Sequence, residues 1–488
     1  MDQSRVVSQA FQSVKWASLG SILPRLVTPI STMVLAALLV PKDFGVVAAA
    51  MIVISFAQIL TNMGIGAAII QRQNAVSEAA SLALGLSLLS AVGLYVILWF
   101  ISPWAARAYR IPELTSVLRV VSLSLILSAL VTVPIALLQK EMAFRKLFWI
   151  NAVPQVVGAG ISVGFAAAGS GYWALVIGYL AGQVMNLGLA WKACRWRPRW
   201  SMNFSLLPGL FRFSVWIMIS GFQSWLFLYA SNALAGYFFG AQVLGVYSLG
   251  FNVATLLPGL FISALASVAY PAFCALQGEG PRAIGLRLVK VLEVSSAAVI
   301  PLTLGISAIA ISGVRLLYGN RWSGLGMTIQ WMAVMPGIGL VWSVYADAFR
   351  SVGRPETWVK LAFISWCFLF VLLLLVGRSN FATFVVVRSL GEWLYPVLNI
   401  LFARRVLKIT VREQFRAVAA PFSISLLTYG IMQALVRILS SGSGLGGWAG
   451  LAVAVFAGGL TYWGVLRLSR PGLYQQLSLS VRRIFLTA

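Results

Sequence analysis

Residues 17–39 read ASLGSILPRLVTPISTMVLAALL, 23 positions that carry a single charge, Arg25. As a helix this stretch rises about 35 Å, enough to cross a hydrocarbon core of roughly 30 Å. An arginine at that depth costs roughly 2.5 to 3.5 kcal/mol to insert, so its side chain belongs toward a polar interior. Pro24 and Pro29 flank it. Each removes a backbone donor and frees a carbonyl that lipid cannot satisfy. The stretch therefore predicts a bent transmembrane helix lining a cavity, with a fixed cation inside. In the competing reading Arg25 snorkels to one surface and the prolines are ordinary kinks.

Working outward, the chain has 488 residues, 60% hydrophobic and 10% charged. That composition predicts an all-α polytopic membrane protein. Thirty-six Lys and Arg stand against eleven Asp and Glu. In a membrane protein this excess marks cytoplasmic loops. The basic segments lack the interleaved aromatics on which single strands stack, so nucleic acid is not an expected partner. There is no histidine, and Cys194, Cys274 and Cys367 lie too far apart for a zinc motif or a disulfide framework. No metal site and no cofactor are called for. The three aspartates, Asp2, Asp43 and Asp347, form no cluster, and the loops are short, which leaves catalysis almost nothing to work with. The polar N-terminus leads into a full-length span without a cleavage pattern and is expected to be retained.

Apolar runs between charged or Gly/Pro-rich breaks predict about fourteen spans, centred from residue 28 to residue 457. An even number puts both termini on one side. If that side is the cytoplasm, about 26 of the basic residues fall inside and about 8 outside. At an offset of 200, Phe11 and Trp16 match Phe211 and Trp216, Ser31 matches Ser231, and Phe44-Gly45-Val46 matches Leu244-Gly245-Val246. The repeat predicts two pseudo-symmetric six-helix lobes around a central cavity, related by an axis along the membrane normal. The expected order is a cytoplasmic segment 1–12, lobes 13–192 and 209–404 joined by a basic linker 193–208, helices thirteen and fourteen in 405–470, and an amphipathic cytoplasmic tail 471–488. Glycines four apart, at Gly160/Gly164, Gly178/Gly182, Gly236/Gly240 and Gly446/Gly450, allow close helix approach.

Few ionisable groups fall inside spans. Arg25 and Arg388 are the candidate contacts for an anionic substrate, because the guanidinium fork suits phosphate. Glu392 lies one turn beyond Arg388 on the same face, so the two also read as a structural pair. Lys290, Glu293, Asp347 and Arg350 are candidates for the cavity or for coupling, and local ion pairing competes with that role. Gln58, Asn62, Asn151, Gln155, Gln183, Asn186, Gln223, Asn232, Asn252 and Gln330 read as interhelical packing groups. Cations exceed carboxylates in the predicted interior, which points to a transporter of an anionic substrate. A cation carrier would need an uncompensated buried carboxylate in the N-terminal half.

Gly169-Ser-Gly-Tyr-Trp-Ala-Leu-Val176, with Gln139-Lys-Glu-Met-Ala-Phe-Arg145 before it and Arg195-Trp-Arg-Pro198 after it, resembles Wzx-type polysaccharide flippases. Val40-Pro-Lys-Asp-Phe-Gly-Val46, Met63-Gly-Ile-Gly66 and Ala348-Phe-Arg-Ser-Val-Gly-Arg-Pro355 fit the same pattern. The resemblance implies the multidrug/oligosaccharidyl-lipid/polysaccharide exporter fold in the bacterial inner membrane. It implies translocation of undecaprenyl-pyrophosphate-linked oligosaccharides for exopolysaccharide, capsule or O-antigen synthesis, beside a polysaccharide polymerase and a chain-length regulator. Arg25 is then similar in placement to a first-helix arginine of related lipid-linked flippases. A multidrug or cation antiporter of the same superfamily, and a membrane polymerase or ligase, are the alternatives. Proton, sodium and membrane-potential coupling all fit the residues.

Overall fold

Leu35 and Leu39 pack against Ala166 and Ala174, which seats the apolar helix α1, Val27–Leu38, on the helices that follow it. The computed structural model of the protein describes residues 27–62, 66, 69–70, 76–198, 207–439, 445–475 and 477–478. Pro24, Arg25, the segment 1–12, half of the linker and the end of the tail lie outside the described residues. Every regular element among the described residues is a helix. They fall into two compact units, one ending at Gly245 and one beginning at Val246.

The first unit continues with α2, Pro41–Asn62, and α3, Val76–Tyr109. Then come α4, Leu114–Lys140, α5, Phe144–Ala167, α6, Tyr172–Ala193, and α7, residues 207–239. Pro41 at the first turn of α2 wastes no donor, and the Asp43 carboxylate accepts from the Val40 N–H at 3.1 Å. The turn between α5 and α6 needs Gly169 at φ +80° and Gly171 at φ +54°, which side chains resist. The core joins Val46, Ile54, Ile111, Leu114, Leu118 and Leu125. Serine and threonine hydroxyls inside the helices return their protons to carbonyls three or four residues back, as Ser102 does to Trp99 and Thr132 to Ser128. That is how polar residues stay satisfied in hydrocarbon.

Helix α8, residues 241–274, has its first turn in the first unit and enters the second at Val246; the second unit then holds α9, Pro281–Tyr318, and α10, residues 325–351. It continues with α11, Pro355–Gly377, α12, Phe381–Val406, α13, Val411–Leu439, and α14, Leu445–Ser469. Thr410 and Glu413 form a capping box at the start of α13: the Glu413 N–H donates to the Thr410 hydroxyl and its carboxylate accepts from the Thr410 N–H. Arg282 clamps the same carboxylate with both Nη atoms and so ties α9 to α13. Phe273, Leu288, Ile300, Tyr345 and Phe349 anchor the core.

Phe100, Leu375 and Phe456 are about 70% exposed on outward faces. Large apolar side chains in such positions belong against lipid. The structure is all-α and polytopic, but the eleven helices of spanning length and apolarity among the described residues do not match fourteen predicted spans one for one. The first predicted span is described only from Val27. Spans seven and eight run together as Leu207–Cys274, interrupted by Gly240 at φ +78°. The tenth is broken into an α-helix at Leu325–Met332, a π-helical turn at Ala333–Gly337, where Pro336 removes a donor, a 3-10 turn at Leu340–Ser343 and an α-helix at Val344–Ser351.

Candidate functional site

Ser128, Thr132 and Gln139 recur at helical spacing along α4 and so share one face of it. That face borders a cavity of about 520 Å³ inside the first unit. Asn151 of α5, Gln183 and Asn186 of α6, and Asn62 at the end of α2 complete its polar lining. The apolar remainder includes Ile70, Val131 and Ile135. Elsewhere along their length α5 and α6 pack closely. A Cβ on Gly178 would stand 1.9 Å from the Ser162 hydroxyl, and one on Gly182 3.1 Å from the Pro154 carbonyl.

The hydrogen bonds of the lining are unevenly spent. Asn186 Nδ2 donates to the Ile150 carbonyl at 2.8 Å and Gln183 Nε2 to the Tyr179 hydroxyl at 3.1 Å. Thr132 lies 3.5 Å from Asn62 Oδ1. Asn151 and Gln139 have no side-chain hydrogen bond to any described residue. Lys140, beside Gln139, sends its ammonium to the Ile69 carbonyl at 3.3 Å, and Lys146 sends its own to Ala193 at 3.2 Å. Both lysines satisfy carbonyls at this end of the unit, and neither is among the lining residues. The sequence pattern marked Asn62, Asn151, Gln183 and Asn186 as packing groups. It passed over Ser128, Thr132 and Gln139, whose shared stripe on an otherwise apolar helix was the available signal.

The candidate charges of the second unit form three separate pairs, each local to one helical stretch. Arg388 is fully buried and donates from Nη1 to Glu392 at 2.6 Å, with the second Nη at 3.4 Å. Its guanidinium lies 5.5 Å from the Trp366 ring and 5.8 Å from Phe251. Lys290 pairs with Glu293 at 2.7 Å, three residues on. Arg350 reaches Asp347 at 3.5 Å and stacks over Trp358 at 4.8 Å, and the Trp358 indole donates to the Tyr395 hydroxyl at 2.9 Å. Arg25 is outside the described residues.

Comparison with known proteins places these features in a lineage. Residues 34–325 match the family described as "Polysaccharide biosynthesis protein". The teichuronic acid biosynthesis protein TuaB of Bacillus subtilis (strain 168) is 26% identical over 483 residues, 96% of this chain and 97% of its own. The lipopolysaccharide biosynthesis protein WzxC of Escherichia coli (strain K12) is 24% identical over 451 residues, 88% of each chain. The solved structure of the lipid II flippase MurJ in an inward closed conformation superposes with a TM-score of 0.72 at 12% identity. It covers 94% of this chain and 99% of that one, a likeness of fold.

Proposed function

The chain belongs to the polysaccharide biosynthesis protein family and is a multi-pass membrane transporter, not an enzyme, and from that premise we propose that it flips undecaprenyl-pyrophosphate-linked oligosaccharides across the bacterial inner membrane. The observation that carries this reading is the chemistry of the cavity: amides and hydroxyls line it, and among the described residues no carboxylate does. An organic cation taken from water into such a site would find nothing to balance its charge. The half-buried carboxylates of the second unit offer no free countercharge either, since Glu293, Asp347 and Glu392 are each paired with a basic neighbour.

The mechanism is alternating access between the lobes at 13–192 and 209–404. Arg25 takes the pyrophosphate, because a guanidinium gives paired charge-assisted hydrogen bonds to phosphate oxygens. Arg388 joins it only by leaving Glu392. The polyprenyl tail stays in lipid while the glycan crosses. Both termini are cytoplasmic, as the distribution of Lys and Arg requires. The product feeds a polysaccharide polymerase with its chain-length regulator.

Proteoliposomes carrying a fluorescent undecaprenyl-pyrophosphate oligosaccharide test the proposal, with accessibility to an external glycosidase as the readout. Movement in the wild type without a new covalent product, abolished in Arg25→Ala at equal insertion, is the expected result. Wild-type rates in Arg25→Ala would remove that residue from the phosphate site. No movement under an imposed ion gradient, together with drug efflux, would favour the antiporter.

A further inference from the structure

We infer that the cavity of the first unit is a subsite for an uncharged sugar of the transported glycan, read through its hydroxyl groups by Asn151, Gln139 and Gln183. The inference rests on the flippase reading above and adds which part of the substrate meets which residues. Each carboxamide presents two donors and an acceptor. Neighbouring hydroxyls on a pyranose ring are themselves donor and acceptor, so one amide can bridge two of them. The lining contains five such amides, with Ser128 and Thr132 beside them.

Charge narrows the ligand further. Among the described residues no lysine or arginine lines the cavity, so a phosphate or a uronate has no counter-ion there, and no carboxylate lines it, so an amine has none. A neutral, hydroxyl-rich group remains. Ile70, Val131 and Ile135 supply the apolar surface that the C–H face of a sugar needs.

Packing would predict a different pattern of bonds. An amide that serves to join helices is bonded across them, as Asn186 is to the Ile150 carbonyl. Asn151 and Gln139 make no such bond among the described residues, although both belong to membrane-spanning helices. Both are exposed, so their hydrogen-bonding capacity is open to a ligand. Their place on the cavity wall gives that capacity a use. Gln183 differs in being oriented by Tyr179, which accepts from its Nε2 and leaves Oε1 for a ligand hydroxyl.

Two lipids separate the possibilities: undecaprenyl pyrophosphate bearing a tetrasaccharide of neutral hexoses, and bare undecaprenyl pyrophosphate. Binding to the full chain in nanodiscs is measured by microscale thermophoresis for the wild type, Asn151→Ala and Gln139→Ala. Gln183→Leu is added in case either alanine variant fails to fold, as judged by its thermal midpoint. The expected result is a loss of about tenfold for the glycan-bearing lipid in each variant, the scale of one net hydrogen bond, with binding of the bare lipid within about twofold. A tetrasaccharide of uronates should bind more weakly than the neutral one. Equal losses for both lipids, or no loss in any variant, would overturn the subsite and leave the flippase reading intact. A wild type that binds neither lipid would overturn both.

Discussion

Gly45 and Gly245, two hundred positions apart, meet at a reciprocal helix crossing. A Cβ on Gly45 would lie 1.7 Å from the Ala241 carbonyl oxygen, and a Cβ on Gly245 would lie 1.9 Å from that of Pro41. Pro41 and Ala241 are themselves related by the same offset of 200. The first turns of α2 and α8 thus cross so that each glycine receives the backbone of the other's partner, which is what a local two-fold relation requires. Only hydrogen fits at either position. Gly45→Ala and Gly245→Ala should each lower stability by about 1–3 kcal/mol or more, because backbone rather than a flexible side chain must move. Gly160→Ala, where nothing lies within 4 Å, should not. Thermal midpoints in detergent check this, and a harmless alanine at both crossing positions would refute the contact.

The pair of Arg388 and Glu392 makes a prediction of a different kind. A fully buried guanidinium with one carboxylate partner is destabilised strongly when that partner is removed, by about 3–5 kcal/mol, since the remaining charge stays buried without compensation. Glu392→Gln and Arg388→Leu should each reduce the folded yield. The double variant should recover part of the loss. Additive losses, read by a double-mutant cycle of unfolding free energies, would show that the two charges act independently. A transport defect in Arg388→Leu that persists in a double variant restored to wild-type stability would place Arg388 on the substrate.

How much of this was legible follows from what each feature depends on. The Arg388–Glu392 pair and the Thr410–Glu413 capping box are set by spacing of three or four along one helix, so sequence shows them directly. The glycine pairs depend on which face meets a neighbour, and spacing does not reveal that. Gly178 and Gly182 pack against Ser162 and Pro154, whereas Gly160 and Gly164 have open space beside them. The cavity was hidden for the same reason: amides on four helices look like packing groups until the helices are placed. The break at Gly240 and the π-turn before Gly337 are equally invisible among 44 glycines and 18 prolines.

Lys42 and Glu113 give a pH dependence. Lys42 Nζ donates to Glu113 Oε1 at 2.5 Å, and that bond holds the Glu113 carboxyl below the ordinary carboxylate range. A carboxyl whose pKa is lowered by folding adds stability above its unfolded pKa and loses it as pH falls through the lowered value. The pair is partly exposed, 56% and 27%, so the gain is on the order of 0–1 kcal/mol. Lys42→Met should therefore unfold slightly earlier than the wild type at neutral pH, and the gap should close in acid as Glu113 protonates. A gap that widened in acid would assign the effect to another group.

The last prediction links packing to the cavity. Gly178 sits where α5 and α6 are closest, with the Ser162 hydroxyl and the Gly158 carbonyl filling the space a side chain would need. Gly178→Ala forces the helices apart next to Gly182, in the same helix as Gln183, so it should disturb the cavity as well as the fold. Unfolding should come about 1–3 kcal/mol sooner. Translocation in proteoliposomes should fall further than the loss of folded protein accounts for, because the amides of α5 and α6 no longer face each other at the same separation. Ser162→Gly in the Gly178→Ala background removes the hydroxyl that collides and should restore both quantities in part. Rescue of stability without rescue of translocation would separate the helix contact from the geometry of the cavity. No rescue of either would show that the Gly158 carbonyl, not Ser162, sets the closest approach.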